Sequence, residues 1–173
     1  MYMPHLKRFT LSASSLAALL LWTGSARAVD ISGTVAATLT IMEDSRLTGN
    51  VTCTVTGAPC IAFGAPGRTL DLNGYSITGL GDPVTGCAGG STAGEIGIEV
   101  GGLSDVVIRG PGIVERFRNH GIRLRTSTNV TVTGVTTATN CLSGIFVPGG
   151  SGHVLERNVS IRNGNLMNPC GGI

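Results

Sequence analysis

The chain has 173 residues, 27 of them glycine, with few aromatics and a formal net charge of +2. The basic excess sits at the start: without Lys7, Arg8 and Arg27, the twelve basic residues become nine against ten acidic ones, and no lysine remains. A near-neutral chain without lysine is a poor nucleic-acid binder, because that affinity rests mainly on phosphate neutralisation, so no nucleic-acid partner is expected.

Lys7 and Arg8 precede a run of apolar and small residues from Leu11 to Trp22, and Ala26-Arg27-Ala28 has the form of a cleavage site. This pattern predicts a secretory signal peptide over residues 1–28. The run is too short for a membrane span, and no later apolar run is long enough, so no transmembrane segment is expected. Export places the protein outside the cytoplasm: secreted, periplasmic or on the cell surface. Residues 29–173 suit one domain.

Residues 29–50 hold Ile31, Val35, Leu39 and Ile41 and are expected to form an N-terminal cap and a first strand. Export also makes disulfides plausible. Cys53 and Cys60 flank the turn-like stretch Thr54 to Pro59 and form the best pair. Cys141 and Cys170 precede successive Gly-Ile units and are expected one above the other, while Cys87 sits in a glycine-rich stretch. The pairing of these three stays open, since an odd cysteine implies a missing partner or a free thiol. No spacing matches a zinc site.

From residue 51 to 173 a short unit recurs: Gly97-Ile98-Glu99-Val100, Gly121-Ile122-Arg123-Leu124, Gly144-Ile145-Phe146-Val147 and a final Gly172-Ile173, at spacings of 24, 23 and 28 residues. Cys60-Ile61-Ala62-Phe63 is an earlier copy. Each unit continues into a second alternating run. Thr69 to Gly74 matches Asp105 to Gly110 and Asn129 to Gly134, and His153 to Asn158 is a less regular copy whose register slips by one. A third short run follows, as in Tyr75-Ser76-Ile77 and Gly112-Ile113-Val114. Alternation at period two, broken by Gly, Asn and Ser, predicts strands and turns. A period near 20–50 residues signals stacked repeats. Two or three strands in each unit leave no room for a strand-helix unit, so equivalent strands must pair in parallel. This predicts inward columns of Ile61, Ile98, Ile122 and Ile145, and of Leu72, Ile108 and Val132. Asp71, Val107 and Thr131 are expected to share an outward column.

The stretch Gly67 to Gly79, the Gly-Ile units and the Asn-Val and His-Val strand starts resemble the right-handed parallel β-helix proteins of the pectate-lyase-like kind. The resemblance covers roughly residues 47 to 173. It implies an all-β, single-stranded right-handed parallel β-helix solenoid of about five to six coils. Relatives of this kind include polysaccharide lyases, glycoside hydrolases, mannuronan epimerases and phage tailspikes. Fold does not fix function among them. Residues 79–96 form an insertion in one coil and residues 163–171 a smaller one; solenoid insertions map to loops on one face, often the binding face. Gly172-Ile173 opens a unit that does not close, which with the odd cysteine reads as a C-terminally truncated fragment.

If the Gly-Ile strands stack in register, Ala62, Glu99, Arg123 and Phe146 form an outward row. Glu99 and Arg123 are then the low-ranking catalytic candidates, and Arg123, Arg125 and Phe146 the candidate substrate-binding residues, with Phe146 as a platform for a sugar ring. The bland alternative is an ordinary cross-strand ion pair. Arg116, Arg118, His120, Arg123 and Arg125 crowd into ten residues and could bind an acidic glycan or simply line a solvated face. Lyases of the resembled family use an Arg or Lys to abstract a sugar proton beside a carboxylate held by calcium, so Ca2+ is possible on resemblance alone. However, Asp71, Asp82, Asp105 and Glu115 are scattered, calcium needs converging oxygens, and no metal ligand set or other cofactor is evident. Apart from Glu43-Asp44 in the expected cap, no carboxylate pair matches the glycosidase separation of about 5–9.5 Å. His120 and His153 are read as structural. The sequons at Asn50, Asn129 and Asn158 are read as repeat texture. The expected partner is a polysaccharide or cell-surface glycan, bound or modified by a lyase-, hydrolase- or epimerase-like protein. The alternative is a non-catalytic structural or adhesive surface module. The oligomeric state is open.

Overall fold

The structure is a computed structural model that describes residues 27–87 and 92–164. Fifteen strands follow one another, with no helix among the described residues. In chain order they are β1 (Val29–Val35), β2 (Leu39–Ile41), β3 (Ser45–Cys53), β4 (Ile61–Phe63), β5 (Thr69–Asp71), β6 (Ser76–Thr78), β7 (Ile98–Gly101), β8 (Val107–Glu115), β9 (Ile122–Arg125), β10 (Ser127–Thr128), β11 (Thr131–Ala138), β12 (Ile145–Phe146), β13 (Gly150–Ser151), β14 (Val154–Glu156) and β15 (Val159–Ile161). All their pairings are parallel. The larger sheet runs β1-β3-β5-β8-β11-β14, with β6 and β15 alongside; the second runs β12-β9-β7-β4-β2; β10 and β13 pair by themselves. Residues 29–50 therefore hold strands of the same two larger sheets as most of the strands after them.

Alternation decides what each sheet buries. In β9, Ile122 and Leu124 are fully buried, while Arg123 is half-buried and Arg125 exposed. Ile61, Ile98, Ile122 and Ile145 are consecutive partners along the second sheet and all lie inside. Leu70, Ile108 and Val132 do the same in the larger sheet. The two inward faces meet in one hydrophobic cluster, so burial that no single three-residue strand could supply is shared along the stack.

The larger sheet corrects two expected columns. Leu70, not Leu72, stands opposite Ile108, and Asp71 stands opposite Arg109, not Val107. The expected alignment was two residues out. The chain leaves β5 after Asp71 and turns through Asn73 and Gly74, both with positive φ (48° and 85°), whereas β8 runs on through Gly110-Pro111-Gly112. A shift of two preserves which face each side chain takes, so burial alone did not reveal it; Leu72 is still buried. The fourth copy pairs Thr131 with Val154, which is the slip by one. Gly150 and Ser151 form β13 against Ser127 and Thr128.

The glycines of the Gly97 and Gly121 units are fixed by stacking. A Cβ on Gly97 would sit 2.5 Å from the Gly121 carbonyl oxygen, and one on Gly121 2.7 Å from that of Gly144. Those same carbonyls accept the backbone N–H of Ile98 and Ile122. A side chain there would push apart the layers that these bonds hold.

Asparagines close turns that follow strands of the larger sheet, with Asn140 fully buried. Asn140 Oδ1 accepts the N–H of Phe117 at 3.0 Å, and its Nδ2 donates to the Val114 carbonyl at 3.1 Å. Asn163, 23 residues on, repeats both contacts against Asn140 N–H and the Thr137 carbonyl. Asn158 does likewise with Val135 and Val132. Each amide thus takes a backbone N–H of the preceding layer and adds a further bond to one of its carbonyls. Of the sequon residues, Asn158 thus has its amide engaged against the backbone, and that of Asn129 donates to Asp105.

Disulfides join Cys53 to Cys60 and Cys87 to Cys141. The second pairing settles two of the three cysteines whose partners were open; the expected stacking of Cys141 over Cys170 involves a residue outside the described ones. Cys170, Gly172-Ile173 and residues 1–26 of the expected signal peptide lie outside the described residues.

Candidate functional site

The exposed face of the second sheet carries the expected row. Thr40, Ala62, Glu99, Arg123 and Phe146 are successive partners across β2, β4, β7, β9 and β12. Glu99 Oε1 accepts from Arg123 Nη2 at 2.7 Å and from Arg125 Nε at 3.2 Å. Arg125 reaches back from two residues further along β9, so one carboxylate bridges two guanidiniums. Glu99 is only 9% exposed. Its commitment to two cations suits charge pairing better than proton transfer, and guanidiniums stay charged throughout the accessible pH range. Two cations against one anion leave the cluster with one positive charge in excess.

Phe146 stays 38% exposed, but one face of its ring is already covered. His120 stacks on it with ring centroids 4.2 Å apart and planes inclined by 15°. His120 is itself buried, and its Nδ1 accepts the backbone N–H of Ser143 at 3.2 Å. Burial first, and then the Arg123 charge, push the imidazole down to about 4, so it is neutral near pH 7. No motif or spacing marks this stack, since residues 120 and 146 sit in different units.

The five basic residues clustered in sequence do not form one patch. Arg116 Nε donates to the Gly81 carbonyl at 2.9 Å. Arg118 forms a two-pronged pair with the buried Glu95, at 2.5 and 2.6 Å, and Glu95 also accepts the N–H of Gly57. Both arginines tie down the expected 79–96 insertion, which the Cys87–Cys141 bond tethers as well. Of the five, Arg123 belongs to the outward row and Arg125 reaches it through Glu99.

The scattered carboxylates are each spent locally. Asp82 accepts from Val84 N, Thr85 N and Thr85 Oγ1, and those bonds, the hydroxyl first, hold it down to about 2. Asp105 takes the Asn129 amide, Glu115 the Thr78 hydroxyl, and Asp71 the Arg109 guanidinium. Among the described residues no three His, Cys, Asp or Glu side chains converge as a metal site. The oxygens present do not fit the calcium that the resemblance implies, and we derive no step through it. His153 Nδ1 accepts the N–H of Val130 at 3.3 Å, a structural use.

No family model matches the chain, and no curated protein or solved structure matches it.

Proposed function

We propose that this chain is an exported, right-handed parallel β-helix that binds an acidic polysaccharide or cell-surface glycan on the exposed face of its second sheet, without cleaving it. The parallel pairing of each strand with its equivalent in the next unit supports the solenoid. The two disulfides support a compartment outside the cytoplasm. One observation carries the ligand class: Glu99 is shared by Arg123 and Arg125, leaving a net positive charge beside the exposed edge of Phe146. Arginine forks match carboxylate geometry, and an aromatic next to them offers apolar contact to a sugar ring. The same sharing removes Glu99 as a free acid or base, which favours binding over catalysis.

The test is retention on polygalacturonate and alginate surfaces, paired with ultraviolet absorbance for unsaturated uronate. The expected result is salt-sensitive retention that falls at least tenfold in the double variant Arg123→Ala, Arg125→Ala, with no absorbance rise. Absorbance that grows with time and disappears in Arg123→Ala would replace binding with lyase chemistry. Absence of retention on either polymer would leave the second reading, a non-catalytic structural or adhesive module. That reading is favoured by the outward apolar side chains of the last strands, Val154, Val159 and Ile161, which are nearly half exposed.

A further inference from the structure

The larger sheet carries an outward row with no part in the reading above. Asp30, Arg46, Asp71, Arg109, Thr133 and Glu156 are successive partners across β1, β3, β5, β8, β11 and β14. Four of them alternate in charge. Arg46 pairs with Asp30 at 2.8 Å, and Arg109 with Asp71 through Nε at 2.9 Å and Nη2 at 2.8 Å. Beside this row runs another, in which the Thr69 N–H donates to Asp44 Oδ1 at 3.0 Å. The rows lie two residues apart along each strand, about 7 Å. Between them is an open groove of about 350 Å³, lined by Asp44, Arg46, Thr69, Asp71, Asn73 and Arg109.

We infer that this groove is a second binding site, built for a neutral oligosaccharide. Both of its guanidiniums are matched by carboxylates, Arg46 by Asp30 and Arg109 by Asp71, so a free anion meets no uncompensated cation; the further carboxylate, Asp44, takes the Thr69 N–H. What the groove offers is hydrogen-bonding capacity. A guanidinium has five N–H groups; the Asp71 contacts use two of those of Arg109, and the Asp30 pairing engages Arg46 through Nε. These donors alternate with carboxylate acceptors at the strand repeat of about 4.8 Å. A sugar hydroxyl both donates and accepts, and a chain of them can satisfy charged partners of both kinds at once, in bonds stronger than neutral pairs make. No aromatic lines the groove, so its contacts are polar. It differs in this from the Arg123–Phe146 row, which has an excess charge and a ring.

The experiment is amide chemical-shift mapping by NMR on the protein expressed from its full reading frame. The probes are cellohexaose, maltohexaose and mannohexaose, with trigalacturonate as the acidic comparison. The expected result is that at least one neutral hexaose moves the amides of residues 44–46, 69–73 and 109 and leaves those of 98–101 and 122–125 unmoved. Affinity should fall at least tenfold in Arg46→Ala and in Arg109→Ala. Both arginines are about half exposed, and exposed ion pairs contribute little to folding, so both variants fold, as circular dichroism will show. The inference is overturned if none of the three neutral probes moves the groove amides. It is also overturned if the two alanine variants bind as the parent does, or if trigalacturonate alone shifts the groove. Failure of the acidic-glycan reading on the other sheet would leave these results untouched, because the two tests use different probes and different residues.

Discussion

Asn140 donates its side-chain amide to the side-chain oxygen of Asn163 at 2.9 Å, 23 residues further along the chain and one layer away. Asn140 is fully buried. The contact links two copies of one device, each asparagine standing in for the backbone partners that a turn lacks.

Replacing Asn140 by leucine strands the N–H of Phe117 in a dry interior and takes from the Val114 carbonyl its second hydrogen bond. Each unpaired group costs about 1–3 kcal/mol, so we expect a loss of about 3 kcal/mol, read as the shift in urea midpoint. The same change at exposed Asn50, whose oxygen takes the Ser76 N–H, should cost less than half as much. Equal losses at both positions would show that burial is not what makes the amide matter.

Gly121→Ala should destabilise by about 1–3 kcal/mol, the range for overpacking a tight site. Gly102→Ala is a comparison of a different kind: there a Cβ meets open space, but φ is +66°, and the strain costs about 1 kcal/mol. Thermal melts of the two variants separate steric from conformational cost. The stacking account fails if Gly121→Ala melts with the parent.

His120 should make stability depend on pH. Its folded value, about 4, lies below the ordinary 6.5, so the unfolded chain binds the extra proton. Its contribution is complete above pH 6.5 and drains away as the pH falls towards 4, by up to about 3 kcal/mol. Protonation of Nδ1 would also turn the acceptor of Ser143 N–H into a donor. Asp82, held near 2, loses its contribution only at lower pH, so the windows do not overlap. Urea midpoints between pH 4.5 and 7.5 should slope in the parent and slope less in His120→Phe, which keeps the stack on Phe146. Parallel slopes would remove His120 from the account.

The two disulfides span 7 and 54 residues. If they act by restricting the unfolded chain, removing the longer loop should cost about 4 kcal/mol and the shorter about 2. Cys87→Ser with Cys141→Ser, against Cys53→Ser with Cys60→Ser, tests the order by denaturant melts. The reverse order would mean that native contacts at the Cys53 turn outweigh loop entropy.

Much of the second sheet was legible because its repeat carries its own register mark. The glycine before Ile98, Ile122 and Ile145 has no tolerable substitute, so aligning glycines aligned the strands and put Glu99, Arg123 and Phe146 in one row. The larger sheet has no such mark. Its strands are held in phase by Arg109 over Asp71 and by turns of differing length, and alternation alone tolerates a shift of two. The His120–Phe146 stack was hidden for another reason, since a ring contact between units leaves no period in the sequence. The asparagines did leave one, the 23 residues from Asn140 to Asn163, but it reads as a contact only once the turn is known to be buried.

Thr78 meets Glu115 in the next layer across 37 residues, whereas Phe117 and Asn140 meet across 23. In both, an isoleucine N–H donates to the glycine carbonyl of the next layer, Ile61 to Gly97 and Ile98 to Gly121. The molecule therefore keeps its place by touch and not by counting: what fixes a strand is the surface beneath it, whatever length of chain was spent in getting there. Between Thr78 and Ile98 the protein already carries a graft of its own making, stitched down by a disulfide and two arginines. A foreign peptide spliced into that segment would be carried as cargo by a frame that does not register its length.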